Sequence, residues 1–317
     1  MPFDIPNLPF TKRIFVQTFL YMDIRTTLSG TGVAIVTPFT TALTVDYDAL
    51  GLLINDVIAN GVNYIVTLGT TGETPVLTTK EKKLIVQYTQ VQIANRVPMV
   101  VGIGGNDTAS VINDLLTFPL DGAVAVLSAS PYYNKPSQQG IITHYKAIAE
   151  VSPKPIILYN VPGRTGRNML ADTTLHLATV PNIVGIKEAG NDIQQAITLL
   201  KHRPPHFLIT SGDDDLVLPE MACGIDGVIS VVANAYPKLF STMVNYCMAN
   251  QFADAVVINN KLLDVYKLLF AENNPAGVKA FLTAQGKIQN NLRLPNVPLS
   301  TELMHLVTQF VQANNME

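Results

Sequence analysis

Ile156-Ile157-Leu158-Tyr159-Asn160, then residues 172–179, then Ile183-Val184-Gly185-Ile186-Lys187: this stretch decides the fold. A short apolar, β-branched run, a helical stretch opened by the capping residue Asp172, and a second apolar run make one strand–helix–strand unit. Most apolar positions in the runs are consecutive rather than alternating, as a parallel sheet covered on both faces requires. Working outward, the unit recurs. Similar runs stand at 33–37, 64–68, 99–103, 123–127, 207–211 and 228–232. Their spacing averages about 28 residues, the length of a strand, a helix and their loops. Helical stretches fill the gaps at 46–58, 78–93, 108–116, 137–150, 192–200, 214–222 and 237–248. Thr78 with Glu81 three residues on forms a capping-box pattern. Eight alternations predict an α/β fold, a closed (β/α)8 TIM barrel, better than a doubly wound sheet. No GxGxxG follows the first run, which weakens a dinucleotide-binding reading. Past residue 250 the strands stop, and 252–270, 275–285 and 301–311 read as three more helices. The expected organisation is a disordered N-terminal extension (1–25), the barrel (26–250) and a helical appendage packed on it (251–317).

Bulk properties narrow the function. With 48% hydrophobic and 14% charged residues over 317 positions, the chain has material for a large core. Lys and Arg total 21 against 24 Asp and Glu, which leaves no basic stripe for nucleic acid. No apolar run approaches the ~20 residues that cross a bilayer. Cys223 and Cys247 are too few for a disulfide framework, and a reducing cytoplasm is the natural setting. The histidines are scattered, and Pro204-Pro205 between His202 and His206 rule out a helical zinc pair. No metal is expected. Lys12 and Arg13 precede an apolar stretch (14–22) that faintly resembles a signal peptide, but Asp23 and Arg25 follow in place of small residues. Met22 is an alternative start.

In a barrel of this type chemistry gathers at the C-terminal strand ends. Lys187 ends its apolar run there. A free lysine amine (pKa ~10.4) is protonated at neutral pH, and burial is what frees it to attack a carbonyl. The competing reading is a surface lysine, or one paired with Glu188. Tyr159 ends the preceding strand at similar height and offers a phenol for proton transfer; otherwise it is a core tyrosine. Thr70 and Tyr133 add hydroxyls from neighbouring loops, enough for a relay to solvent. Arg164, in a Pro/Gly loop, can turn a guanidinium onto a carboxylate, or simply be solvated. Gly69-Thr70-Thr71-Gly72-Glu73 can bring backbone N–H groups to a carboxylate, though it lacks the ending of a phosphate loop. Asp213–Asp215 read as an N-cap for the next helix rather than as a metal site.

Together these strand ends carry a resemblance. GTTGE (69–73), PYYN (131–134), YNVPGRTG (159–166), GIKEA (185–189) and SGDD (211–214), in this order, resemble the dihydrodipicolinate synthases. These belong to the pyruvate-dependent, N-acetylneuraminate lyase-like aldolases. The likeness runs from about Gly32 to Pro298 and includes LFAENNPAGVK (269–279). It implies a lyase that condenses pyruvate, held as a Schiff base on Lys187, with L-aspartate-4-semialdehyde, on the route to diaminopimelate and lysine. Tyr159, Thr70 and Tyr133 would relay protons, Tyr133 reaching into a partner subunit. Thr71 would hold the pyruvate carboxylate, Arg164 the second substrate, and Gly212 and Ile229 would place carbonyls near the lysine. No cofactor beyond the covalent pyruvate is implied. The family's usual assembly is a homotetramer, a dimer of dimers. At the regulatory pocket of lysine-inhibited members this chain keeps Asn106 and Tyr132 but has Ser110 for a glutamate, and Thr79 and Lys82 for histidines. Weak or absent lysine inhibition is the expectation. Within the fold, a sialic acid or sugar-acid lyase is the alternative; a non-catalytic keto-acid sensor is the alternative from another class.

Overall fold

The computed structural model describes residues 23–314 and 316. Eight parallel strands close into a barrel: β1 Gly30–Ala34, β2 Tyr64–Thr67, β3 Met99–Gly102, β4 Ala123–Ala129, β5 Ile156–Asn160, β6 Ile183–Glu188, β7 Leu208–Ser211 and β8 Gly227–Ser230. Each pairs with the next in sequence, and β1 closes on β8 with Gly30 opposite Gly227. Helices separate the strands, and Phe252–Phe270, Ala276–Ala284 and Thr301–Ala313 follow the last of them.

Alternate strand residues serve two cores. Tyr64, Val66, Ile157, Tyr159, Leu208 and Ile229 fill the barrel interior. Ile65, Leu158, Ile186 and Ile209 face outward and pack beneath the helices. This two-sided burial is why the strands read as continuous apolar runs.

The first strand begins three residues before its expected start, because the glycines on either side of Thr31, Gly30 and Gly32, are poor strand formers by composition. Their place is decided by close approach: a Cβ on Gly32 would lie 2.3 Å from the Tyr64 ring. β8 likewise starts at Gly227. β4 and β6 run on to Ala129 and Glu188. The capping box at Thr78 forms as expected.

Part of the extension expected over 1–25 is ordered. Residues 1–22 lie outside the described residues, but Asp23–Arg25 belong to the fold. Asp23 caps a helical turn, Ile24–Thr27, whose Ile24 joins Leu28 in the barrel's interior packing. Arg25 bonds Asp226 Oδ1 at 2.8 Å and the Pro205 carbonyl at 2.9 Å. Both partners lie just before β8 and β7, so this turn closes the barrel at the N-terminal ends of its strands. Among the described residues no helix is long and apolar enough to cross a membrane.

Candidate active site

At the opposite end the strands open into a cavity of about 700 Å³. Thr70, Thr71, Tyr159, Arg164, Lys187 and Gly212 all line it, as read from the sequence. Tyr159 and Lys187 are register partners on β5 and β6, and both side chains point inward. Lys187 is only 4% exposed, with its Nζ 4.6 Å from the centroid of the Tyr159 ring. The Glu188 pairing does not form: one residue further along the strand, Glu188 points to the other side of the sheet, toward Asn160 and Gln195. Gly212 is a packing requirement, since a Cβ there would stand 2.7 Å from Lys187 Cε.

The 69–73 loop is fixed from several sides. Thr74 Oγ1 donates to Gly69 O at 2.9 Å and Thr37 Oγ1 to Gly72 O at 2.8 Å. Glu73 takes a left-handed conformation (φ 52°) that turns its carboxylate away from the cavity and into a fully buried ion pair with Lys279. Thr71, 2% exposed, accepts from Asn274 Nδ2 at 3.1 Å. Arg164 Nη2 donates to the Asn274 carbonyl at 3.2 Å. One residue of the turn between the helices Phe252–Phe270 and Ala276–Ala284 therefore touches both side chains expected to grip carboxylates. Its Oδ1 is buried without a hydrogen-bond partner among the described residues. Sequence reading missed Asn274, because its partners lie 110 and 203 residues away. Its only signal was the NNP tripeptide between two helical stretches.

Three expected residues stand elsewhere. Tyr133, at φ 70°, is 88% exposed and does not line the cavity, whereas its neighbour Tyr132 does. Ile229 is fully buried in the interior packing and does not line the cavity; Val231 lines it instead. The aspartate cap is also corrected. The helix begins at Val217 with Leu216 as its N-cap and no side-chain cap bond. Asp214 is drawn instead to the loop after β8, where it accepts from the backbone N–H groups of Val231 and Val232, both at 2.9 Å. Asp213 accepts from Asn191 N at 3.1 Å and lines the cavity. Among the described residues no group of three or more His, Cys, Asp or Glu is placed to hold a metal ion. At the expected regulatory positions, Ser110 Oγ bonds Asp107 Oδ2 at 2.6 Å. Lys82, like Tyr132, reaches the cavity.

Burial raises four carboxyls around the site: Glu188 to about 7, Glu220 to about 7, Asp214 to about 6, and Asp213 above the usual aspartate value. The native state holds these protons more tightly than the unfolded chain, where carboxyls titrate near ~4. Their effect on stability is therefore least costly in acid, and stability falls as pH rises from that range through about 7. His144, lowered by burial, works in the opposite direction. Thermal unfolding should show a net loss of about 2–4 kcal/mol between roughly pH 5 and pH 8. A profile that rises across that window would contradict the burial of these groups.

Known proteins match over nearly the whole chain. The dihydrodipicolinate synthetase family matches residues 27–314. A 4-hydroxy-tetrahydrodipicolinate synthase from Parabacteroides distasonis is 48% identical over 272 residues, covering 86% of this chain and 92% of the relative. The crystal structure of dihydrodipicolinate synthase from Aquifex aeolicus superposes with a TM-score of 0.88 at 36% identity, covering 91% of this chain and 99% of that one. The Acinetobacter baumannii enzyme, solved in complex with pyruvate, gives 0.88 at 39% identity, with 90% and 98% coverage. A family match over residues 27–314, a shared barrel and this extent of identity place the chain in the dihydrodipicolinate synthetase family.

Proposed function

We propose that the chain condenses pyruvate with L-aspartate-4-semialdehyde, the 4-hydroxy-tetrahydrodipicolinate synthase activity for which its curated relatives are named. One observation carries this reading: a buried lysine amine on the cavity wall, set over a tyrosine ring by the pairing of adjacent strands. The Lys187 amine attacks the pyruvate ketone and water leaves, giving an imine. Loss of a methyl proton makes an enamine, whose carbon bonds to the aldehyde carbon of the second substrate while the aldehyde oxygen takes a proton. The amine of that substrate then displaces Lys187 and closes the ring, so one water is lost overall. The lysine amine is the covalent centre, and the reaction needs no external cofactor.

Thr71 and Arg164, both held by Asn274, suit the two carboxylates. Tyr159 and Thr70 pass protons. The exposure of Tyr133 supports a role in completing a neighbouring subunit's site, in a homotetramer built as a dimer of dimers. A cytoplasmic setting fits its two free cysteines.

Borohydride reduction with pyruvate, followed by peptide mapping, should place a pyruvyl adduct on Lys187. Turnover with aspartate semialdehyde but not with N-acetylneuraminate separates this activity from that of the related lyases. Thr70→Val, which removes one hydroxyl and keeps the shape, should lower kcat by about 10²-fold while leaving the melting temperature nearly unchanged. Equal losses in both would make Thr70 a packing residue.

A further inference from the structure

The outward side of β5 and β6 carries a polar cluster that the reaction itself does not use. Asn160 and Glu188 are register partners, each one residue beyond Tyr159 and Lys187, and both are essentially inaccessible to solvent. Asn160 Nδ2 donates to Glu188 Oε1 at 2.8 Å and to Asn168 Oδ1 at 2.7 Å. Asn160 Oδ1 accepts from Met169 N at 2.9 Å. The second oxygen of Glu188 accepts from Gln195 Nε2 at 3.1 Å, while the Glu188 carbonyl accepts from Gly212 N at 2.6 Å. Each polar atom of the Asn160 side chain and each carboxylate oxygen of Glu188 thus has a partner. The only direct side-chain bond between the two strands here joins these two residues.

Because side chains alternate along a strand, turning either backbone by a few degrees moves its inward residue as much as its outward one. The inward residues are the phenol and the amine. We infer that Asn160 and Glu188 form a latch across β5 and β6 that sets the Tyr159–Lys187 geometry, making both of them positioning residues for the reaction. The inference rests on the reading of Lys187 as the imine-forming amine. The latch is directional: Asn160 supplies the hydrogen and Glu188 the oxygen, so it can be broken and remade without changing side-chain size.

Asn160→Asp takes away the amide hydrogens that reach Glu188 and Asn168 and, assayed in alkaline buffer, sets carboxylate against carboxylate. On the full chain it should lower kcat by about 10- to 100-fold, with the KM for the semialdehyde within about threefold of the original, since Arg164 is untouched. Adding Glu188→Gln returns a hydrogen to the pair from the other side, and the double variant N160D/E188Q should recover most of the lost kcat. A merely structural role would move the melting temperature and leave kcat per folded molecule unchanged. The latch is overturned if N160D turns over at the original rate, or if E188Q fails to rescue it. Should N160D not fold, Glu188→Ala leaves the Asn160 amide unanswered, and an unchanged kcat there overturns it equally. Borohydride trapping on the unaltered enzyme separates the two layers. If no adduct forms on Lys187, the reading of the lysine fails; if it forms while N160D remains fully active, only the latch fails.

Discussion

Lys187→Ala should give a folded barrel that has lost about 10⁴-fold or more in kcat and gains no mass from pyruvate and borohydride. The size of the loss follows from what the amine does. Without it no imine forms, the methyl protons of pyruvate lose their electron sink, and the remaining groups can only bind and orient the substrates. Folding should be little affected. Among the described residues the Lys187 side chain forms no ion pair or hydrogen bond, and it lies against the face of the Tyr159 ring. Alanine at this position sits beside a water-accessible cavity rather than in close-packed core. Circular dichroism and a melt would establish the fold, and a coupled assay with aspartate semialdehyde the activity. A variant keeping more than about a hundredth of the original kcat would mean that the carbon–carbon bond forms without a covalent intermediate.

Lys279→Met should be the most damaging single change to stability, costing about 3–5 kcal/mol. Lys279 and Glu73 are both fully buried and form an ion pair. Lys279 Nζ also donates to the Asn291 carbonyl at 3.0 Å and lies 4.3 Å from the centroid of Phe39. Burial alone pulls its ammonium down, and Glu73 acts against that. Methionine keeps most of the volume but leaves a buried carboxylate with only the Arg293 backbone N–H, at 3.2 Å. The melting temperature should fall by on the order of 10 °C. Because Glu73 ends the loop that carries Thr71, the KM for pyruvate should rise as well. Glu73→Gln in the Lys279→Met background removes the stranded charge and should return part of the stability. A single variant that melts like the original chain would show that the charge is compensated elsewhere.

How much of this was legible in the sequence depended on distance along the chain. The β5–helix–β6 unit announced itself because its signals are local, namely apolar runs and turn residues; the expected cap is corrected, since the helix starts at Ala171 with Leu170 as its N-cap and Asp172 lies in its first turn without a cap bond. Lys187 and Tyr159 could be matched in height because strand ends in a parallel barrel share a level. The glycine-led starts of β1 and β8 were hidden, since the fit of Gly32 to the Tyr64 ring is a property of two strands and not of either one. Asp214 was misjudged for a similar reason. Cap preference is a local rule, and two backbone N–H groups 17 and 18 residues onward outcompeted it. Asn274, Glu73 and Lys279 form contacts spanning more than a hundred residues, which no periodicity records.

The sealing turn at Ile24–Thr27 has a practical meaning for anyone rebuilding this protein. Substrates enter at one mouth of the cylinder, while Ile24 and Leu28 stopper the other like a bung, tied down by Arg25. Trimming the gene past Asp23 would pull that bung and let water into the hollow from below. The far rim, where Arg164 and Lys82 stand, is free to be redesigned for other aldehydes without disturbing the seal.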